Sequence, residues 1–328
     1  MTIKLILDVD TGTDDAVAIM AAALHPELHL VGVTTVNGNV PVENCTENTL
    51  RVLDHIGADI PVYEGAARPM VRQDFPVPRA AGNGATTMHG LYLDLPPSRS
   101  KKQEKSAVQY LIDYYMSADG PDTVLVPTGP LTNIALAMTL QPEIVSRIPS
   151  LILMGGGHDV GNMSPSAEFN IWADPEAARV VIGSGVKNLV IVPLDCTHEA
   201  VVSDEDCAQF AALGTPAGKA ASAFIMRRIK AHDESQPLDV LHTAAVHDAV
   251  CVTYLVHPEV LEKATRYYVD VETNGELCIG RTVVDTHHRS GKEPNATVAL
   301  GGNAEVFVRF LKETFARTLD SKVERIQP

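Results

Sequence analysis

The chain has 328 residues, with 26 Lys+Arg against 41 Asp+Glu, a formal net charge of -15, and 45% hydrophobic residues. That surplus of negative charge repels phosphate backbones and anionic bilayers, so nucleic acid and membrane are excluded as expected partners and a small molecule is favoured. Five cysteines with no C-x-x-C spacing speak against a disulfide framework and for a reducing cytoplasm, and the first apolar run is broken at Asp8, too early for a signal peptide.

The N-terminal stretch Lys4-Leu-Ile-Leu-Asp-Val-Asp-Thr-Gly-Thr-Asp-Asp-Ala-Val17 runs from an apolar strand into a helix. Residues 5–7 read as a buried strand, Thr11-Gly12-Thr13 as a tight turn, and Asp14-Asp15 as the first turn of a helix through Leu24. Asp8, Asp10, Asp14 and Asp15 therefore converge at one strand end. Like charges in a partly buried crevice need protons or a cation, and hard carboxylate oxygens suit calcium or magnesium. The plainer reading, in which Asp14 and Asp15 cap the helix and complement its dipole, accounts for only two of the four.

Residues 28–35 form a second β-rich run ending in Asn37-Gly-Asn39, and Pro41 opens a helix to about Ile56. Residues 61–64 read as a short strand. Residues 68–99 are a connection with five prolines and three glycines, long enough to be a lid, a binding loop or a disordered segment. Within it His89, in Asn83-Gly-Ala-Thr-Thr-Met-His-Gly90, is either a ligand contact or a solvated loop histidine.

Further on, residues 106–117 read as a helix, 123–126 as a strand and 128–135 as a turn entering a helix. Residues 151–154 are a strand breaking into Gly155-Gly-Gly157, residues 161–172 are polar and turn-rich, and 175–182 are helical. Residues 189–192 form a strand ending at Pro193-Leu-Asp195, and Ser203-Asp-Glu-Asp206 is an ordinary capping box. Helical patterns follow at 217–232 and 243–256, strand-like runs at 265–271, 277–284 and 297–300, and a closing helix at 304–316.

Strands alternating with helices, without repeats or a linker, predict a single α/β domain over residues 1–328. Its core is a doubly wound, mostly parallel, Rossmann-like central sheet with additional C-terminal strands and helices. Ligands of such sheets bind beyond the carboxyl ends of the strands. That rule gathers Asp10, Asn39, Thr128, Met154 and Asp195, with Asn162, Glu168 and Asn170 over the same rim. Amide and carboxylate groups there suit a hydroxyl-rich ligand such as a sugar; turn chemistry is the plainer account of each Asn singly.

These motifs resemble a known family. Asp8-Val-Asp-Thr-Gly-Thr-Asp-Asp-Ala16 is similar to the N-terminal signature of the inosine-uridine-type nucleoside hydrolases. The resemblance recurs at Asn37-Gly-Asn39, Thr128-Gly-Pro-Leu-Thr-Asn133, Met154-Gly-Gly-Gly157, residues 161–172 and His247-Asp248. It implies the nucleoside hydrolase fold and hydrolysis of the N-glycosidic bond of ribonucleosides. It further implies a Ca2+ ion held by Asp10, Asp15, the main-chain carbonyl of Thr128, and Asp248, with Asp10 activating a bound water. Asp14, Asn39, Asn162, Glu168 and Asn170 would grip the ribose hydroxyls, Met154 would line the sugar pocket, and the assembly would be a homodimer or homotetramer.

Breaking a ribosyl C–N bond passes through an oxocarbenium-like state, which calls for a positioned nucleophile, stabilisation of positive charge and protonation of the leaving base. His247 is the candidate acid because an unperturbed imidazole titrates near neutrality, and His89 is the second. The plainer reading of His247 is a structural histidine beside Asp248. Two departures from the family stand out. His89-Gly90 runs straight into Leu91-Tyr-Leu-Asp94 rather than a Gly-Leu-rich segment. The helix before His247 lacks the tyrosine that sorts the base in pyrimidine-preferring members, which leaves Arg228, His232 or Glu234 for that role. Two other classes compete. A haloacid-dehalogenase-like phosphatase would share Asp8-Val-Asp10, and a silent nucleoside-binding protein would keep the ribose residues while losing Asp10.

Overall fold

The computed structural model describes residues 2–75, 89–235 and 238–319. Its centre is Ile3–Val9 (β1), fully buried from Leu5 onward. Around it stand Leu28–Thr35 (β2), Val62–Glu64 (β3), Thr123–Pro127 (β4), Leu151–Met154 (β5), Leu189–Val192 (β6) and Ala296–Gly302 (β12), with Leu261–Tyr267 (β9) outermost. The eight strands are ordered β3-β2-β1-β4-β5-β6-β12-β9. All neighbours pair in parallel except β12 with β9. Central strands read as unbroken apolar runs because helices cover both faces. Leu5, Leu7 and Val9 pack on one side, with the helix Thr13–Leu24 (α1), the long helix Pro216–Ser235, and His247–Val256. Ile6 points to the other, where the helices Ala107–Met116, Thr132–Leu140 and Pro175–Ile182 contribute Leu111, Ile134 and Val181. The expected doubly wound α/β sheet is therefore present.

Local chemistry sets the joints. The helix Val42–Ile56 stops at Gly57, whose φ of 72° is the left-handed cap that glycine adopts cheaply. The box at Ser203 forms as expected: Ser203 Oγ accepts from Asp206 N while Asp206 Oδ2 accepts from Ser203 N. The outermost strand β9 exposes Glu262, Lys263 and Arg266, and Lys263 sits at φ 50°.

Three expectations need correction. Residues 243–256 are not one helix: Thr243–Ala245 is a strand (β8) paired antiparallel with Val201–Ser203 (β7), and the helix begins at His247. A Thr-Ala-Ala run carries no periodicity, so its partner in space decided its form. Residues 265–271 are two strands, since β9 ends at Tyr267 and Val269–Val271 (β10) turns away to pair with Thr282–Val284 (β11). Residues 277–281 are not extended, and Gly280 at φ 79° turns the chain against Trp172.

Of the connection 68–99, residues 76–88 lie outside the described residues, and with them Asn83 to Met88 of the histidine motif. Its described flanks are anchored. Met70 N donates to Asp174 Oδ2 at 2.6 Å, Arg72 pairs with Glu176 at 2.6 Å, and Leu93 N donates to Asn48 Oδ1 at 3.0 Å. No helix among the described residues is long and apolar enough to cross a membrane.

Candidate active site

Beyond the carboxyl end of β1 the chain turns through Thr11-Gly12 into α1, which brings Asp10, Asp14 and Asp15 together. Asp248 joins them from the first turn of His247–Val256, a helix packed against α1. The four are 1%, 6%, 0% and 3% exposed in that order. Among the described residues, oxygens of Asp14, Asp15 and Asp248 lie within 4.8 Å of one another. At an effective dielectric of about 20, two charges at that spacing repel by about 3 kcal/mol. Burial first, and then the neighbouring carboxylates, pushes Asp10 and Asp248 well above the usual range and Asp15 up to about 7. A bound cation reverses such shifts. The donors are hard buried oxygens, and Arg228, 3.0 Å from Asp14 Oδ1, matches the charge of one carboxylate and leaves the others unbalanced, so the cluster fits a hard divalent ion.

Neighbours orient Asp10 and Asp15. Asp10 Oδ2 accepts from Asn39 N at 2.6 Å, and Asn39 Nδ2 lies 3.4 Å from Asp15 Oδ2. Asp15 Oδ2 also accepts from Gly12 N at 2.9 Å, and its Oδ1 accepts from Thr128 Oγ1 at 3.0 Å. Asp15 thus caps the helix and faces the cluster at once, so the two sequence readings of it are compatible. Asp10 stands beside the 4.8 Å set, linked to it through Asn39, and Asp14 stands within it.

Asp8 does not join them. Its Oδ1 accepts from Thr34 Oγ1 at 2.5 Å and from Asn133 Nδ2 at 2.8 Å, and burial lifts it to about 7. Asn133 also donates to Thr35 O and accepts from Ala66 N, so it rivets β1, β2 and the chain after β3. Its place at the turn after β4 was the available signal, and sequence reasoning assigned it no such part.

The expected rim forms over the end of β5. Asn170 Nδ2 donates to the Thr128 carbonyl at 2.7 Å and to the Met154 carbonyl at 3.1 Å, which leaves its Oδ1 to accept. Glu168 caps the helix Phe169–Ala173, its oxygens accepting from Gly156, Asn170 and Ile171 N–H groups, and burial raises it to about 7. Asn162 Oδ1 accepts from Phe169 N at 2.9 Å, which leaves its amide hydrogens as donors. Met154 is buried, with its sulfur 3.4 Å from Asn170 Nδ2. Asp195 serves the loop instead, accepting from His158 N and Asp159 N.

His89 is neither solvated nor distant. Its Nδ1 accepts from Thr13 N at 3.0 Å and lies 3.8 Å from Asp14 Oδ1. Accepting there makes the ring neutral with its proton on Nε2, and burial lowers it to about 4. His247 Nδ1 is 2.7 Å from Thr197 Oγ1, and burial followed by the Arg228 charge lowers it well below its usual value. Burial beside a fixed cation disfavours a second positive charge on His247, so its ring departs from the unperturbed imidazole on which its candidacy as acid leaned. Arg228 lies 3.0 Å from Asp14. Glu234 is two-thirds exposed beside Lys230, outside this group.

A doubly wound sheet that gathers buried aspartates and an Asn/Glu rim at its carboxyl edge is the arrangement of an α/β enzyme acting on a small polar ligand. Residues 5–309 match the family described as inosine-uridine preferring nucleoside hydrolase, and the chain belongs to it. It is 40% identical over 310 residues to the pyrimidine-specific ribonucleoside hydrolase RihB of Escherichia coli strain SE11, covering 94% of this chain and 96% of that one. Among solved structures it is similar to the purine-preferring ribonucleoside hydrolase from Gardnerella vaginalis, with a TM-score of 0.85 and 31% identity over 95% of this chain and 98% of that one. An inosine-guanosine nucleoside hydrolase follows, with a TM-score of 0.83 and 28% identity over 96% and 99%. One relative is pyrimidine-specific and another purine-preferring, so the likeness leaves the base open.

Proposed function

We propose that this chain hydrolyses the N-glycosidic bond of ribonucleosides to free base and ribose, as a calcium-dependent cytoplasmic enzyme working as one domain in a homodimer or homotetramer. The observation that carries the reading is the buried carboxylate cluster joined to the Asn/Glu rim through Thr128, whose hydroxyl donates to Asp15 and whose carbonyl accepts from Asn170. Membership of the family and Asp10 in place favour it over a phosphatase or a silent binder.

Asp15, Asp248 and the Thr128 carbonyl would hold calcium with Asp10. When bound, that ion supplies an acidified water and a template for two adjacent hydroxyls. Asp10, fixed through Asn39 N, takes the proton of the attacking water. Asp14, Asn39 and Asn170 Oδ1 accept from ribose hydroxyls, Asn162 donates to them, and Glu168 sets negative charge beside the developing oxocarbenium. Met154 forms the apolar wall of the sugar pocket. His89 Nε2–H and the His247 ring lie toward the base and stabilise its departure by hydrogen bonding. Five free cysteines accord with a reducing compartment.

The test is a ribonucleoside panel with release of reducing sugar as the readout. Asp10→Ala should abolish hydrolysis with the circular dichroism unchanged, and exhaustive chelation should do the same to the wild type. A 2′-deoxynucleoside should react about 10⁴-fold less well, because a site built around a hydroxyl leaves polar groups unpaired without it. Full activity in the chelated enzyme would remove calcium from the proposal, and comparable kcat/KM for uridine and deoxyuridine would remove the ribose grip.

A further inference from the structure

Arg228, in the middle of the long helix Pro216–Ser235, is among the largest fully buried side chains of the protein, at 1% exposure. Burying a guanidinium costs several kcal/mol unless its protons and charge are matched. Its Nε donates to the Ala245 carbonyl at 3.0 Å, just ahead of His247 and Asp248, and one terminal nitrogen lies 3.0 Å from Asp14 Oδ1 and 3.4 Å from Thr13 Oγ1. One planar group therefore ties the start of α1 to the segment that delivers Asp248.

The 4.8 Å set contains three carboxylates that are chemically alike as metal donors, so proximity does not say which of them leaves the ion to bind substrate. Arg228 breaks that equivalence, because its contact falls on Asp14, whereas Asp15 is oriented by the neutral Gly12 N–H and Thr128 hydroxyl. A carboxylate held against a cation that cannot lose its proton is a poor ligand for a second cation, yet it still accepts from a neutral hydroxyl. We infer that Arg228 is a positioning residue that keeps the Asp14 carboxylate out of the cation's coordination shell and presents it to the ribose. The inference rests on the metal and ribose reading above. A lysine at this place reaches only one of the two partners, since it lacks the rigid fork.

The test compares wild type, Arg228→Met and Arg228→Lys by calorimetric titration with calcium in the absence of substrate, by thermal unfolding, and by the split of kcat and KM on the panel's best ribonucleoside. With the positive charge gone and Asp14 released, Arg228→Met should bind calcium about tenfold tighter, while KM for the ribonucleoside rises about tenfold or more. Arg228→Lys should keep near wild-type calcium affinity and recover part of the KM. Calcium binding that is unchanged or weaker in a cooperatively folded Arg228→Met overturns the assignment. If that variant does not fold, Arg228→Lys decides, and a wild-type KM in it overturns the assignment equally. Wild type that binds no calcium overturns the metal reading itself, a result distinct from either variant's.

Discussion

His89 and His247 come to the carboxylate cluster by different routes, one from a loop after residues 76–88 and one from a helix start, yet burial disfavours the charged form of both rings. Because His89 is lowered to about 4 from an ordinary 6.5, the unfolded chain takes up its proton first as pH falls. The contribution of His89 to stability is full above about 6.5 and is lost between 6.5 and 4; His89→Gln should flatten that loss in acid denaturation curves. In catalysis the comparison of substrates decides. If the rings assist the leaving base, His247→Ala and His89→Ala should cost about 10² to 10⁴ on nucleosides but far less on p-nitrophenyl riboside, whose leaving group departs without a proton. Equal losses on both substrates would reassign the ring concerned to holding the sugar or its neighbours. Asp8 has the opposite sign to His89: lifted to about 7, it costs stability as pH rises from about 4 to 7, and its part is internal. Its carboxylate looked like a cluster member because sequence proximity to Asp10 does not reveal Thr34 and Asn133 waiting beside it.

Elements with their own pattern were legible: β1 into α1, β2 into Val42–Ile56, and the alternation that fixes the parallel sheet all follow from local apolar periodicity and turn residues. Segments shaped by a distant partner were not. Thr243–Ala245 takes strand form from Val201–Ser203, and Arg228 meets Thr13 across 215 positions, a separation that no spacing rule encodes. The loop between β2 and the next helix shows what backbone shape contributes. A Cβ at Gly38 would stand 2.0 Å from Asp10 Oδ2, so glycine lets the chain close over that carboxylate. Gly38→Ala should displace Asp10 and cut the initial rate at least about 10²-fold, the cost of misplacing a reacting group by about 1 Å, while near-UV circular dichroism stays native. A rate within twofold of wild type would show that Asp10 has room to move.

At the scale of the molecule, a charge of -15 sets copies of the chain against one another, so the proposed homodimer or homotetramer needs contact faces low in net charge. Light scattering at micromolar concentration should return a mass of two or four chains, and a monomer mass would refute the assembly. The margins of the sheet are poor places for such contacts. On one side β3 is three residues long, too short to template another chain. On the other, β9 presents Glu262, Lys263 and Arg266 to solvent and is bent at Lys263, and charge and curvature on an exposed strand both obstruct the flat ladder that cross-β growth requires. A sheet this wide and this apolar inside would be a hazard in a crowded compartment if its flanks were plain; with both blunted, the eight-stranded sheet offers a passing copy little on which amyloid-like fusion could start.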